Sequence, residues 1–227
     1  MTAPEPLAAV LWDLDGTLMN SEPFWMGAEE RLAAEFGGTW TDEDARGVVG
    51  IPIDRAAAAM VAAGVPLPVP EIVERLVGSV ASEVEVHVPW QPGALDLLVE
   101  LRDAGVPCAL VTMSYPSIAE GFLRACPPGV FGAVVTGDQV EAGKPDPEGY
   151  LTAAERLGVD IRRCVVVEDS PSGIGAGLAS GARTIGVKVI VDVPPRPGLS
   201  RTDSLRRLSL ARFRALVDGE VFDDLRP

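Results

Sequence analysis

The chain has 227 residues, of which 47% are hydrophobic and 23% charged, and its net charge is −14 at pH 7. That length suits one full domain plus a smaller inserted unit, and no apolar run approaches the roughly 20 residues that span a bilayer. The negative charge argues against broad binding to nucleic acid or acidic membrane surfaces, though not against one small phosphate in a local site.

The start, MTAPEPLAAV, has no basic n-region and carries Glu5, so no signal peptide is expected. The run AAVLWDLD reads as a first buried strand. From Asn20 to about Val86 only helical patterns follow: SEPFWMGAEERLAAEF, IDRAAAAMVAAG and PEIVERLVGSVASEVE, separated by Gly37-Gly38 and the proline-rich VPLPVP. This interval, residues 19–86, is expected to be a helical unit inserted into a core built from residues 1–18 and 87–227. Strand-like and helix-like segments then alternate. PGALDLLVELRDAG is read as a helix with Pro92 in its first turn and Gly105 at its stop. VPCALVT is a strand, YPSIAEGFLRAC a helix, FGAVVTG a strand and DPEGYLTAAERLG a helix. CVVVED is a strand, PSGIGAGLASG a helix and ARTIGVKV a fifth strand. DVPPRPGLSR reads as a turn-rich linker, and SLARFRALVDGE as a closing helix. Such alternation predicts an α/β fold, a parallel sheet with helices on both faces. Cys108, Cys126 and Cys164 lack metal-ligand spacing; an odd count suits a reducing cytosol, with all three as small buried hydrophobes.

In an open parallel sheet, ligands sit outside the carboxyl ends of the strands, and the informative residues fall there. Asp13 and Asp15 end the first strand, and Thr112, with Met113 and Ser114 after it, ends VPCALVT. Glu168 and Asp169 end CVVVED. Lys144 lies in the turn-rich loop EAGKPDP, and it is one of only two lysines among 19 basic residues. Each feature has an ordinary alternative. The aspartates could be turn residues before Gly16, Lys144 a solvated charge, and Asp169 and Ser170 a helix cap. Together, three carboxylates at one sheet edge repel one another unless a cation offsets them, and hard oxygen ligands point to Mg²⁺. With Lys144 and the Thr112 hydroxyl to meet phosphate oxygens, the set reads as phosphoryl-transfer chemistry.

DLDGT, VT-x-S, the GKPDP loop and the EDSPSG turn, with 99, 32 and 25 residues between their key positions, resemble the haloacid dehalogenase superfamily of phosphohydrolases. The likeness is to its helical-cap branch, that of the β-phosphoglucomutase-like and phosphoglycolate-phosphatase-like phosphatases, and it runs from about Leu7 to Val191. The resemblance implies a Rossmann-like core with an all-helical cap, and Asp13 as a nucleophile that forms an aspartyl-phosphate. Asp15 would protonate the leaving oxygen and then activate water. Thr112 and Lys144 would bind the phosphoryl group. Mg²⁺ would be held by Asp13, the Asp15 backbone carbonyl and Asp169, with Glu168 as a direct or supporting ligand. Substrate contacts would come from Ser114, from Met113 through its backbone N–H, and from Arg46, which precedes GVVG in the cap.

Asp15 separates this chain from the dehalogenases, which lack the second aspartate. Mutases of this likeness carry a cap histidine twelve residues after the nucleophile, where this chain has Trp25. The single histidine, His87, is expected to be structural or exposed. The expected function is thus a Mg²⁺-dependent cytoplasmic phosphatase of a small phosphorylated metabolite such as a sugar phosphate. A sugar phosphomutase and a non-catalytic phosphometabolite-binding protein are the alternatives. The glycines at 173, 175 and 177 do not fit G-x-G-x-x-G, because Leu178 takes the last position; close packing on the sheet is the reason expected for them.

Overall fold

A computed structural model describes residues 6–226, so Glu5 and the first residues of the stretch read against a signal peptide lie outside the described residues. Strand β1 (Ala9–Trp12) is followed by helices α1 (Glu22–Glu35), α2 (Asp42–Val48), α3 (Ile53–Ala62) and α4 (Val69–Val86). Then come α5 (Ala94–Asp103), β2 (Cys108–Val111), α6 (Pro116–Ala125), β3 (Phe131–Val135), α7 (Glu148–Leu157) and β4 (Cys164–Glu168). The chain ends with α8 (Pro171–Ser180), β5 (Arg183–Val187), β6 (Leu199–Thr202) and α9 (Leu210–Val217). It divides into two units. One is the core: residues up to Asn20, Trp90–Ala119 and Cys126 onward; the other is Ser21–Pro89 with Glu120–Ala125.

In the core, the strands form one sheet in the order β3-β2-β1-β4-β5-β6, with every neighbouring pair parallel. Side chains alternate across a strand, and β1 shows what this does to the two faces. Leu11 packs in one cluster with Tyr150 of α7 and Ala176 of α8. Its neighbour Trp12 points the other way and meets Phe213 of α9 edge-on, with ring centroids 6.0 Å apart. Both faces are therefore covered, and β1, β2 and β4 are fully buried runs as such a sheet demands.

Two local readings are corrected. DVPPRPGLSR is not only a linker, because its end forms a sixth strand, β6, paired with β5 from Thr184–Leu199 to Val187–Thr202. Its residues are largely polar yet buried, so no apolar run announced it. Arg201 is satisfied by Asp223 at 2.6 Å and by the Val193 carbonyl at 2.7 Å. Pro92 does not lie in the first turn of its helix; Gly93, with φ of 91°, is the N-cap, and α5 begins at Ala94.

In the helical unit, α4 packs against α1 and α3 through Ile72, Leu76, Val80 and Val84, a stripe repeating every fourth residue. Helix α2 is an element the sequence reading lacked. Thr41 and Asp44 form a reciprocal capping box at its start, a signal present in T-D-E-D. Glu29 is buried in α1 and accepts from Trp40 Nε1 at 2.9 Å. Burial, with help from Glu22, raises its pKa from 4.5 to about 7 against the opposing pull of the Trp40 bond. The folded chain thus holds this proton where the unfolded chain has lost it, so stability falls as pH rises between those two values. Glu29→Gln is expected to be about 2 kcal/mol more stable than the parent at pH 8 and equal to it at pH 4. Denaturation curves at the two pH values check this, and an unchanged difference between them refutes it.

Among the described residues no helix is long and apolar enough to cross a membrane.

Candidate active site

The sheet order places the carboxyl ends of β2, β1 and β4 side by side, and the polar residues cluster where those three strands stop. Asp13 follows β1, Thr112 follows β2, Glu168 is the last residue of β4, and Asp169 comes next. The Asp13 backbone N–H donates to the Val167 carbonyl at 3.1 Å, extending the ladder just far enough to fix its Cα.

Lys144 reaches this group from the loop before α7, which includes a cis Lys144–Pro145 bond. An ammonium has three N–H donors, and each has an acceptor: Asp13 Oδ1 at 2.6 Å, Glu168 Oε1 at 2.6 Å and the Val111 carbonyl at 3.0 Å. Burial works against the charge of Lys144, but Asp13 and Glu168 outweigh it and hold its pKa above the ordinary value. Glu168 is fully buried. Its Oε1 also accepts from Tyr150 OH at 2.8 Å, and its Oε2 accepts from Ser170 N at 3.2 Å and Ser170 Oγ at 3.0 Å. Burial and the Glu168 charge keep the Tyr150 phenol protonated, so it is a donor.

Asp15 is held from the other side. Ser114 Oγ donates to its Oδ2 over a short contact, and Thr112 Oγ1 lies 3.4 Å from the same oxygen. Thr112 Oγ1 in turn accepts from Ser114 N at 2.9 Å. Gly16 next to it has a φ of +88°, and a Cβ there would sit 2.1 Å from Asp169 Oδ2. Only glycine makes this turn and leaves Asp169 its place. Thr17 Oγ1 completes the turn's hold on Asp169 with a bond of 3.3 Å to Oδ1.

One oxygen each from Asp13, Glu168 and Asp169 lie within 4.8 Å of one another. Against these charges stands a single lysine. Burial first, then Glu168, raises the pKa of Asp13 well above the ordinary carboxylate range, and the same two causes raise that of Asp169 to about 7. Such a site fits a hard cation. Asp13 and Asp169 suit it as ligands, since the bonds from Lys144 and Thr17 engage only one oxygen of each. Glu168 suits it less, because both its oxygens already take donors.

Seven of the residues singled out in the sequence meet here: Asp13, Asp15, Thr112, Ser114, Lys144, Glu168 and Asp169. Met113 is beside them, with its side chain exposed. Its Sδ accepts from Lys144 N at 3.3 Å, and it presses on Gly137 and Gly143, where an added Cβ would come within 3.0 Å of it. Arg46 lies in the helical unit, exposed, 3.4 Å from Asp42. His87 is exposed, as expected. The sequence reading missed Thr17, Tyr150 and the role of Ser170. Thr17 stands in DLDGT and Ser170 in EDSPSG, so both were within sight; Tyr150 had no signal, being one more apolar position of a helix. Two of the three glycines of α8 are explained by contacts. A Cβ at Gly173 would meet the Glu168 carboxylate and one at Gly177 would meet Val166 and Thr184 of the sheet, whereas one at Gly175 would make only ordinary contact with Pro145.

A parallel α/β sheet with an acidic, lysine-tethered cluster at its carboxyl edge fits phosphoryl-transfer chemistry. The chain matches the haloacid dehalogenase-like hydrolases over residues 10–187 and belongs to that family. It is 34% identical over 183 residues to validoxylamine A 7'-phosphate phosphatase of Streptomyces hygroscopicus subsp. limoneus, covering 80% of this chain and 86% of that protein. It is likewise 34% identical over 187 residues to hexitol phosphatase A of Escherichia coli (strain K12), covering 81% and 84%. Among solved structures, CbbY from Rhodobacter sphaeroides in complex with phosphate superposes with a TM-score of 0.76 at 27% identity, over 88% of this chain and 95% of that one. The chain is an enzyme, a phosphoric monoester hydrolase.

Proposed function

We infer that this enzyme is a Mg²⁺-dependent phosphatase of a small phosphorylated metabolite, a sugar phosphate or similar, that acts in the cytoplasm through an aspartyl-phosphate. The observation that carries the reading is the pairing of Asp13 with Lys144 next to an Asp15 held by Thr112 and Ser114. It supplies a nucleophile and an acid–base group in adjacent, differently tethered positions. Asp13 attacks phosphorus; the bond to the leaving oxygen breaks, and Asp15 gives that oxygen its proton. Asp15 then takes a proton from water, which attacks the same phosphorus and frees inorganic phosphate and Asp13. Lys144 restrains the charge on Asp13, and the N–H it gives to Asp13 is the one placed to turn toward a phosphoryl oxygen.

The residues that would hold Mg²⁺ are Asp13, the backbone carbonyl of Asp15 and Asp169, with Glu168 as their support. When bound, the ion supplies the positive charge that offsets these carboxylates and the phosphate oxygens. The inserted helical unit acts as the cap that selects the leaving group, Arg46 being its candidate substrate contact. Relatives named for carbohydrate phosphates support the substrate class.

The test is release of phosphate from an aryl phosphate and a panel of sugar phosphates. Turnover with Mg²⁺ is expected, with at least a roughly 100-fold loss after chelation and recovery on adding the metal back. No release across the panel, or a rate indifferent to chelation, ends this reading.

A further inference from the structure

We propose that Tyr150 is a positioning residue for the reaction, acting through Glu168 on Lys144. The proposal rests on the reading of Asp13 as the nucleophile that Lys144 attends.

Tyr150 is a buried residue of α7 in the apolar cluster that includes Leu11 and Ala176. Phenylalanine would fill the same space, so the ring alone does not account for the residue. The hydroxyl is the informative part. It donates to Glu168 Oε1 at 2.8 Å, the oxygen that also receives Lys144 Nζ at 2.6 Å. The other oxygen of Glu168 is taken by the backbone and side chain of Ser170. A carboxylate free to rotate about its last bond offers a lysine many positions; one pinned at both oxygens offers one. Glu168 and the Val111 carbonyl then take two of the three Lys144 protons, and the third is directed at Asp13 Oδ1. The Lys144 nitrogen also lies 5.3 Å from the centre of the Tyr150 ring, so the same side chain lies against the lysine while its hydroxyl fixes the partner. Without that hydroxyl, Glu168 loses one of its donors and draws more on Lys144, at the expense of the bond to Asp13.

The experiment compares the full chain with Tyr150→Phe, which keeps the ring and removes the hydroxyl. Only two lysines occur, Lys144 and Lys188, so ¹⁵N-lysine labelling yields two side-chain ammonium signals in NMR. In the variant, the Lys144 ammonium signal is expected to shift or to exchange faster with water while that of Lys188 stays put. On an aryl phosphate with Mg²⁺, kcat is expected to fall roughly tenfold with KM within about twofold, and the thermal midpoint to drop by only about 3–10 °C, leaving the variant folded at assay temperature. An unmoved Lys144 signal overturns the proposal and leaves Tyr150 as a core residue. Should the parent protein release no phosphate from any substrate, the phosphatase reading fails, while the ammonium signals still decide whether Tyr150 places Lys144.

Discussion

Asp13→Asn should abolish turnover, with a loss of at least about 10³-fold in kcat, and leave the fold in place. The amide cannot attack phosphorus, and the other carboxylates have their own tasks: Glu168 has both oxygens engaged, Asp15 is tied to Ser114, and Asp169 is held by Thr17 as a cation ligand. The fold should survive for a reason visible in the same residues. Burial together with Glu168 and Asp169 already disfavours the charge on Asp13, so a neutral side chain of the same shape relieves a repulsion. Lys144 keeps an acceptor, since the asparagine carbonyl can stand where Oδ1 stood. Circular dichroism and a phosphate-release assay on the same preparation make the check. A variant that keeps a tenth of the parent rate would remove Asp13 from its assigned role.

Gly173→Ala should be the most damaging of the small substitutions. A Cβ at this position would lie 1.7 Å from Glu168 Oε1 and 1.9 Å from its Cδ. The atom it would strike is the centre of the buried network and has no way to swing aside. Either α8 lifts from the sheet or Glu168 leaves Tyr150, Ser170 and Lys144. Overpacking and a broken buried ion pair each cost several kcal/mol, so a loss of about 3 kcal/mol or more is expected, together with most of the activity. Gly175→Ala, two residues along the same helix, meets only Pro145 Cβ at 3.4 Å. It should be neutral or up to about 1 kcal/mol stabilising, because alanine is the better helix former. Urea denaturation of the pair separates the two cases, and equal midpoints would falsify the packing explanation.

Much of this was legible in the residues. Strand ends are marked where apolar runs such as CALV and CVVVE meet a polar residue, and the parallel alternation then sends Asp13, Thr112 and Asp169 to one edge. Lys144 stood out because lysine is scarce in this chain. What stayed hidden has a physical cause in each instance. β6 is buried but polar, its burial granted by tertiary partners such as Asp223 rather than by its own hydrophobicity. Tyr150 looks like any apolar helix position until the fold brings it under Glu168. Met113 is expected to meet the substrate through its backbone; that its exposed side chain lies next to Gly137 and Gly143 is something no local pattern could foretell. Arg46 depends on the inserted unit, whose role rests on family likeness rather than on spacing.

The turn that carries Asp15 has one more property. Met19 pairs antiparallel with Trp90, Gln91 N donates to the Leu18 carbonyl at 2.9 Å, and Gln91 Nε2 reaches the Gly16 carbonyl at 2.8 Å. The chain therefore departs from the core and re-enters it through two adjacent, hydrogen-bonded crossings, as at the base of a hairpin. The core closes on itself at that point whatever lies beyond, and a longer excursion adds only logarithmically to the entropy of closing it. Lineages could thus lengthen, shorten or exchange the excursion while the reacting carboxylates stay where the sheet holds them. One chemical centre, entered through a fixed doorway, can in this way be fitted with many different selectors.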